Sequence, residues 1–136
     1  MSRIQARECL FKLIYEYSFL KNYNELSLEE YVNQDGIDDE NKDYITESYK
    51  YILLNYDNII SVIENNLERY SMDKLSKIDL SLLVISVYEI VIKHNPDYKL
   101  EINEAIEMAK KYSNDNSHKF INGVLARIVN GQNYDN

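Results

Sequence analysis

The sequence has few of the residues that build disulfides, metal sites and tight turns. Its 136 residues include one cysteine, three glycines, one proline and no tryptophan. A lone cysteine cannot form an internal disulfide, and no second thiol stands beside it to bind zinc. Three separated glycines cannot build the glycine-rich loop that cradles a nucleotide phosphate. Scarce glycine and proline also argue against hairpin-rich sheets, and they favour helices joined by short polar loops.

Long hydrophobic runs are also missing. The longest apolar stretch covers residues 82–92 and contains Ser86 and Glu89, so it is too short and too polar to cross a bilayer. The N-terminus carries Arg3 and Arg7 but no apolar segment of the kind found in signal peptides. We therefore expect a cytoplasmic protein with no membrane partner, whose cysteine stays reduced.

No group of residues has the spacing of a catalytic or metal site. His94 and His118 have no carboxylate or cysteine at ligand spacing. The acids of residues 25–43 lack the apolar setting that would mark a general acid. The sequence therefore predicts a protein that is not an enzyme and needs no cofactor or metal.

Apolar residues recur every three or four positions in every long segment. This spacing predicts an all-α fold of about six to seven helices with no sheet. We expect a first helix from about Arg3 to Asn22, and a short second one near residues 26–30 with Ser27 as its N-cap. The pattern from Asp39 to about Tyr70 is too long for one globular helix, so we divide it near Asn55.

The second half of the chain begins with one loose turn at residues 72–76. Residues 78–93 are apolar on all sides, which predicts a helix at the centre of a bundle. Two more helices are expected at residues 100–112 and 117–129, the latter with Ser117 as its N-cap. The apolar stripe continues through Gly123, where we expect glycine to permit a close helix contact. No linker or repeat interrupts the chain, so residues 1–136 are expected to form a single domain.

Charge is unevenly distributed along this acidic chain, whose net charge is −8. Residues 25–68 contain two bases and twelve acids, a net charge of −10, whereas residues 1–24 carry +2 and residues 110–127 carry +3. An acidic protein is a poor non-specific binder of nucleic acid. The two basic segments could still form one binding patch, although a solvated surface would also explain them.

Two C-terminal segments resemble the signature of the NusB transcription antitermination family. They are residues 102–110 (INEAIEMAK) and residues 117–125 (SHKFINGVL). Residues 87–90 (VYEI) resemble the family's central element, and residues 6–9 (AREC) with 13–15 (LIY) resemble its opening helix. The four elements occur in the family's order along nearly the whole chain.

This resemblance implies two small helical bundles packed together and a non-enzymatic role in transcription. Family members bind single-stranded boxA RNA together with NusE, a small-subunit ribosomal protein, and help the RNA polymerase elongation complex pass terminators, notably in ribosomal RNA operons. Transferred by position, the resemblance predicts RNA-binding residues in the first helix and before and within the last helix. They are Arg3, Arg7, Tyr15, Asn116, Ser117, Lys119 and Phe120. It places partner-binding residues at Met72, Lys74, Leu75 and Asp79.

Phe120 and Asn116 stand out among these positions. Phe120 could pack in the core or stack on a base, and the sequence leaves both open. Asn116 stands where family members often carry an acid, which removes a negative charge beside the expected RNA. We also expect Arg3 and Arg7 to lie outside the apolar face of the first helix, and so to affect RNA affinity with little effect on stability.

Two other functions remain open at this stage. One is a protein-binding adaptor that has lost RNA binding and uses the acidic segment to dock basic partners. The other is a stand-alone relative of the helical domain of ribosomal RNA 5-cytosine methyltransferases, whose catalytic domain would have to follow Asn136. A homodimer is also left open.

Overall fold

The computed structural model describes residues 1–131, and this part of the chain contains seven α-helices and no strand. The prediction of an all-α fold is therefore confirmed. The residues group into two compact units, Met1–Leu54 and a second unit that starts at Asn55. Each unit is described by itself below, and a single domain over residues 1–136 stays a prediction. Within the described residues no helix is long and apolar enough to span a membrane.

The first unit consists of α1 (Arg3–Leu20), α2 (Glu25–Val32) and α3 (Asp39–Leu54). A capping box starts α1, because the Ser2 hydroxyl accepts the backbone N–H of Gln5 and the Gln5 side chain accepts the backbone N–H of Ser2. Helix α1 packs against α2 and α3. The contact buries apolar side chains of α1 and α3 completely, which are Leu10, Leu13, Ile14, Ile45 and Ile52.

The cap of α2 differs from the prediction. Asn24, not Ser27, is the N-cap, and its side chain accepts the backbone N–H of Ser27 at 3.1 Å. The Ser27 hydroxyl instead donates to Glu16 Oε2 at 2.9 Å. The prediction was wrong because both side chains suit a cap, and the contact with α1 decides between them.

The second unit contains α4 (Tyr56–Glu64), a 3-10 turn (Met72–Lys74), α5 (Lys77–Val87), α6 (Tyr98–Tyr112) and α7 (Ser117–Gly131). The division near Asn55 is confirmed, and so is the short turn. However, α4 ends at Glu64, earlier than the apolar pattern indicated. The segment between α4 and the 3-10 turn is a loop that contributes to the site described below.

Helix α5 lies at the centre of the second unit, where it contacts α4, α6 and α7. All residues from Asp79 to Val87 are buried, as the apolar pattern predicted. Burying a leucine or valine side chain contributes about 1.5–3 kcal/mol, so this helix organises the unit. It continues as a π-helical segment, Tyr88–Ile92, where Glu89 is buried and lies 3.7 Å from Lys93 Nζ.

Candidate functional site

Four of the predicted RNA-binding residues lie at the start of α7, with Asn116 directly before the helix and Ser117, Lys119 and Phe120 in its first turn. Asn114 Oδ1 accepts the backbone N–H of Asn116 at 3.1 Å, and α7 starts at Ser117. Lys119 and Phe120 therefore lie in the first turn of α7. Backbone N–H groups without intrahelical partners give this end of a helix a partial positive charge, which suits an anion such as phosphate.

Ser117 is not the cap that the sequence predicted, because it is already helical and almost fully buried. Its hydroxyl donates to Asp79 Oδ2 at 3.0 Å, and the Ser113 hydroxyl donates to Asp79 Oδ1 at 2.7 Å. The two serine oxygens are 2.7 Å apart. The buried carboxylate of Asp79 thus fixes the end of α6 and the start of α7 to the first turn of α5. Ser117 as an RNA contact stays a prediction, and its side chain is engaged inside the unit.

A cleft brings together residues from both predicted sets. Its volume is about 250 Å³. Its lining includes three predicted RNA-binding residues, three predicted partner-binding residues and one tyrosine from the loop after α4, which are Asn116, Ser117, Phe120, Lys74, Leu75, Asp79 and Tyr70. Nothing in the sequence indicated how near the two sets lie to each other, and the structure places them side by side.

Phe120 is half-buried and is therefore neither a pure core residue nor a free surface ring. Its ring packs edge-to-face against Tyr70, with centroids 5.0 Å apart and ring planes at 70°. Such pairs are favourable beyond the area that they bury. Tyr70 itself is 58% exposed, so the pair forms an aromatic corner that is open to solvent.

A groove adjoins this corner and has a volume of about 360 Å³. The residues that line it come from the loop after α4 and from α7, and they are Leu67, Glu68, Arg69, Tyr70, Asn116, Lys119, Phe120, Gly123 and Arg127. Arg69, Lys119 and Arg127 supply three positive charges against Glu68 alone. The groove is therefore locally basic in a chain whose net charge is −8.

Sequence reasoning missed Arg69, Tyr70 and Arg127. The only signal of Arg69 and Tyr70 was a basic residue followed by an aromatic one at the polar end of an apolar pattern, and nothing in the sequence placed them beside α7. Arg127 was counted in the basic segment 110–127, but nothing marked it as a site residue. Arg127 positions the loop, because its Nε donates to the Asn66 carbonyl at 2.9 Å and lies 3.6 Å from Glu68 Oε1.

Gly123 does not mediate the close helix contact that was predicted. A Cβ placed there would meet only the Arg127 guanidinium, with Nη1 at 3.6 Å, which is an ordinary van der Waals contact. The continuing apolar stripe suggested a buried position, but Gly123 is half-exposed and lines the groove. The prediction was therefore wrong.

The predicted partner-binding residues have different environments. Lys74 is exposed, and Met72 and Leu75 are half-exposed in and after the 3-10 turn. Asp79 is only 7% exposed, and both of its carboxylate oxygens accept serine hydroxyls. A partner could reach the first three directly, whereas contact with Asp79 would have to compete with these bonds. All four stay predictions.

Arg3 lies in the first unit at the start of α1. Its Nε donates to Asn41 Oδ1 at 3.0 Å, its Nη2 is 3.4 Å from Glu40 Oε1, and its guanidinium lies 4.1 Å from the centre of the Tyr44 ring. These contacts fasten α1 to α3. Its side chain is still 41% exposed, so a phosphate could reach it, and its role in RNA binding stays a prediction.

Arg7 corrects one expectation. It is only 7% exposed, so it does not lie outside the buried face of α1. The sequence misled because a charged residue among apolar ones is normally assigned to solvent, although a long arginine side chain can cover apolar surface with its stem. Removing Arg7 should therefore affect stability, and its contact with RNA stays a prediction.

Tyr15 belongs to an aromatic row on α1. Its ring centre lies 6.2 Å from that of Phe11 and 5.0 Å from that of Phe19. Phe11 is buried, whereas Tyr15 and Phe19 are 36% and 55% exposed. Tyr15 is thus accessible for stacking, and the RNA contact that the family resemblance implies for it stays a prediction.

Known proteins resemble this chain along almost its whole length. The model of the NusB family matches residues 4–130. A protein of Finegoldia magna named "Transcription antitermination protein NusB" is 38% identical over 133 residues, which cover 95% of this chain and 94% of that protein.

Solved structures show the same fold. NusB of T. maritima superimposes with a TM-score of 0.86 at 31% identity, covering 96% of this chain and 92% of that one. A structure described as antitermination factors NusB and NusE in complex with dsRNA superimposes with a TM-score of 0.84, covering 96% of this chain and 99% of that one. Its identity is 22%, so this second likeness concerns the fold alone.

Proposed function

Since this chain belongs to the NusB family, we propose that it is a transcription antitermination factor that binds the boxA element of nascent RNA together with NusE. In this role it would help RNA polymerase to elongate through terminators, notably in ribosomal RNA operons. The protein acts by binding and catalyses no reaction. We expect it to act in the cytoplasm, together with the transcription machinery.

The relatives support the proposal by their names and by one complex. The matched protein of Finegoldia magna is named as a transcription antitermination protein. The solved complex contains a NusB protein with NusE and double-stranded RNA. The family match extends over residues 4–130, so it includes the basic segment 110–127, the whole of the described groove and all but the first three residues of segment 1–24.

The observation that carries the proposal is the basic, aromatic surface at the start of α7. Lys119 and the N-terminus of α7 suit a phosphate, and the half-buried Phe120 can stack on an unpaired base. Unpaired bases stacked on aromatic side chains are the usual means of sequence-specific RNA recognition. This combination of a basic side chain, a helix N-terminus and an aromatic ring favours RNA binding over a protein-binding adaptor that has lost it.

Titration of a labelled single-stranded boxA RNA tests the function, with the chain alone and with NusE added. We expect tight binding with NusE and much weaker binding of an RNA with the same composition in scrambled order. Transcription through a terminator downstream of boxA should increase when both proteins are present. Equal affinity for the boxA and scrambled RNAs would contradict the proposal, and binding of NusE without any RNA affinity would favour the adaptor.

A further inference from the structure

The loop between α4 and the 3-10 turn has a defined conformation. Arg127 Nε holds the Asn66 carbonyl at 2.9 Å, and Leu67 is buried. The backbone N–H of Tyr70 donates to the Leu67 carbonyl at 3.2 Å. Glu68 has a φ of +57°, a left-handed conformation that is uncommon for residues other than glycine. A non-glycine residue keeps such a conformation only when its surroundings determine it.

This loop presents Tyr70 as an exposed ring above the groove. At 58% exposure, the ring contributes little to a core, and its contact with Phe120 holds it at a fixed angle. Two rings inclined at 70° present an aromatic corner, against which one flat group can lie face-on to one ring and edge-on to the other.

The charges around the corner select an anion. Arg69 and Lys119 are exposed on two sides of the groove, while Arg127 is directed to Glu68 and the loop backbone. A ligand that satisfies both features needs a flat π-system with negative charges next to it. A nucleotide of a single RNA strand has both.

Gly123 gives independent support. It lies inside α7, where glycine destabilises a helix by comparison with alanine. Its φ is not in the left-handed region, and a Cβ would meet nothing closer than 3.6 Å. The fold therefore does not require glycine at this position. Because glycine has no side chain, it leaves one wall of the groove open. A residue that is unfavourable for its helix and has no structural reason to be there points to a functional role.

We propose that this groove receives one unpaired nucleobase of the bound RNA strand. Tyr70 is its stacking partner beside Phe120, Arg69 and Lys119 bind the neighbouring phosphates, and Gly123 keeps the space for the base open. The inference rests on the proposed RNA-binding function and adds to it a second aromatic residue, Tyr70, and a groove that holds the base.

The test measures the affinity of the preformed complex with NusE for single-stranded boxA RNA, using Tyr70→Ala, Tyr70→Phe and Gly123→Ala. If one base stacks on Tyr70, Tyr70→Ala should lower the affinity for the RNA by about fivefold to hundredfold. Tyr70→Phe should retain most of the affinity because the ring remains. Gly123→Ala should raise the melting temperature and still weaken binding. Tyr51→Ala is the matched control, since Tyr51 is 52% exposed in the first unit.

A set of RNAs with one abasic nucleotide at successive positions identifies the stacked base. At one position, loss of the base should lower the affinity of the unaltered protein for the RNA. The same abasic RNA should bind Tyr70→Ala no more weakly than the intact RNA does, because both changes remove the same contact. Arg69→Ala should reduce the slope of log affinity against log salt by about 0.7. Circular dichroism of each variant checks folding, and the Phe and Gly123 variants keep the test valid if Tyr70→Ala unfolds.

The results separate this inference from the proposed function. If the unaltered complex binds boxA RNA and Tyr70→Ala, Gly123→Ala and the abasic series all leave affinity unchanged, the groove is not a base site, although the proposed function stands. If Tyr70→Ala weakens NusE binding while RNA affinity of the preformed complex is unchanged, the aromatic corner is a protein contact and the inference is overturned. If the unaltered complex does not bind the RNA, the proposed function itself fails.

Discussion

Removing the Asp79 carboxylate should loosen the start of α7, and the contacts allow the effect to be estimated. Asp79 is buried and accepts the hydroxyls of Ser113 and Ser117 at 2.7 and 3.0 Å. Each hydrogen bond to a charged group contributes about 1.5–3 kcal/mol. The sum of the two bonds would be about 3–6 kcal/mol, and the lost acid in the first turn of α5 adds a few tenths.

Two features reduce this sum for Asp79→Ala. The serine hydroxyls lie 2.7 Å from each other, and Ser117 Oγ is also 3.1 Å from Asn114 Oδ1, so both hydroxyls retain partners. The substitution also removes a buried charge, whose desolvation opposes folding. We therefore expect a loss of about 2–4 kcal/mol. For a protein of this size, that loss lowers the melting temperature by roughly 10 °C.

Urea denaturation of Asp79→Ala, Asp79→Asn and Asp73→Ala measures the effect. Asp79→Asn retains one carbonyl acceptor and should lose about half as much. Asp73 is an exposed acid in the adjacent 3-10 turn, so Asp73→Ala should stay within about 0.5 kcal/mol. RNA affinity should fall with Asp79→Ala as well, because Lys119 and Phe120 follow Ser117 in α7. A change in stability below about 0.5 kcal/mol for Asp79→Ala would refute the role assigned to this carboxylate.

Three further predictions concern single side chains. Asn116→Asp should raise stability by a few tenths to about 1 kcal/mol, because a negative charge interacts favourably with the dipole of α7. The same charge repels phosphate by about 1 kcal/mol, so RNA binding should weaken several-fold at low salt. Equal affinities at low salt would place Asn116 outside the RNA site. Arg7→Ala should lower the free energy of unfolding by more than about 1 kcal/mol, because the side chain is buried. Arg3→Ala should lower it less, because that side chain is partly exposed. An equal loss of stability for the two variants in denaturation experiments would contradict this order. Burial raises the pKa of the Cys9 thiol, so a smaller fraction of the thiol is in the reactive thiolate form at neutral pH. A thiol reagent should therefore modify the folded protein much more slowly than the protein in denaturant. Equal rates of modification would contradict the burial of Cys9.

The helices were predictable because each depends on a pattern that is local in sequence. The apolar residues of α5 leave no polar face, and such a helix can only lie at the centre of a bundle. The division at Asn55 was also visible from chain length and polar residues. Caps were less predictable. Asn24 and Ser27 are equally suitable by type. Ser117 does not cap α7 but lies in its first turn, and its hydroxyl donates to the buried Asp79, a residue distant in sequence.

The candidate site was predictable only where the family resemblance supplied it. Lys119 and Phe120 were assigned through the segment that they share with the family, and the structure places both at the groove. Tyr70 and Arg127 carried no such signal. Tyr70 lies beside α7, the helix that contains Arg127, because the loop after α4 has a left-handed residue at Glu68 and accepts a hydrogen bond from Arg127. Neither feature can be derived from residue type or spacing.

The shared cleft changes how variants of this protein should be interpreted. Lys74 and Leu75 were expected to contact NusE and Phe120 to contact RNA, yet all three line one cleft of about 250 Å³. Asp79 joins the two groups through Ser117. A substitution here can alter both affinities, because ligands that bind adjacent parts of one surface are coupled and the coupling is reciprocal. A lower RNA affinity for a cleft variant is therefore not by itself evidence of an RNA contact. That assignment requires RNA affinity measured on the preformed complex with NusE, where the protein contact is already made and only the RNA step is compared.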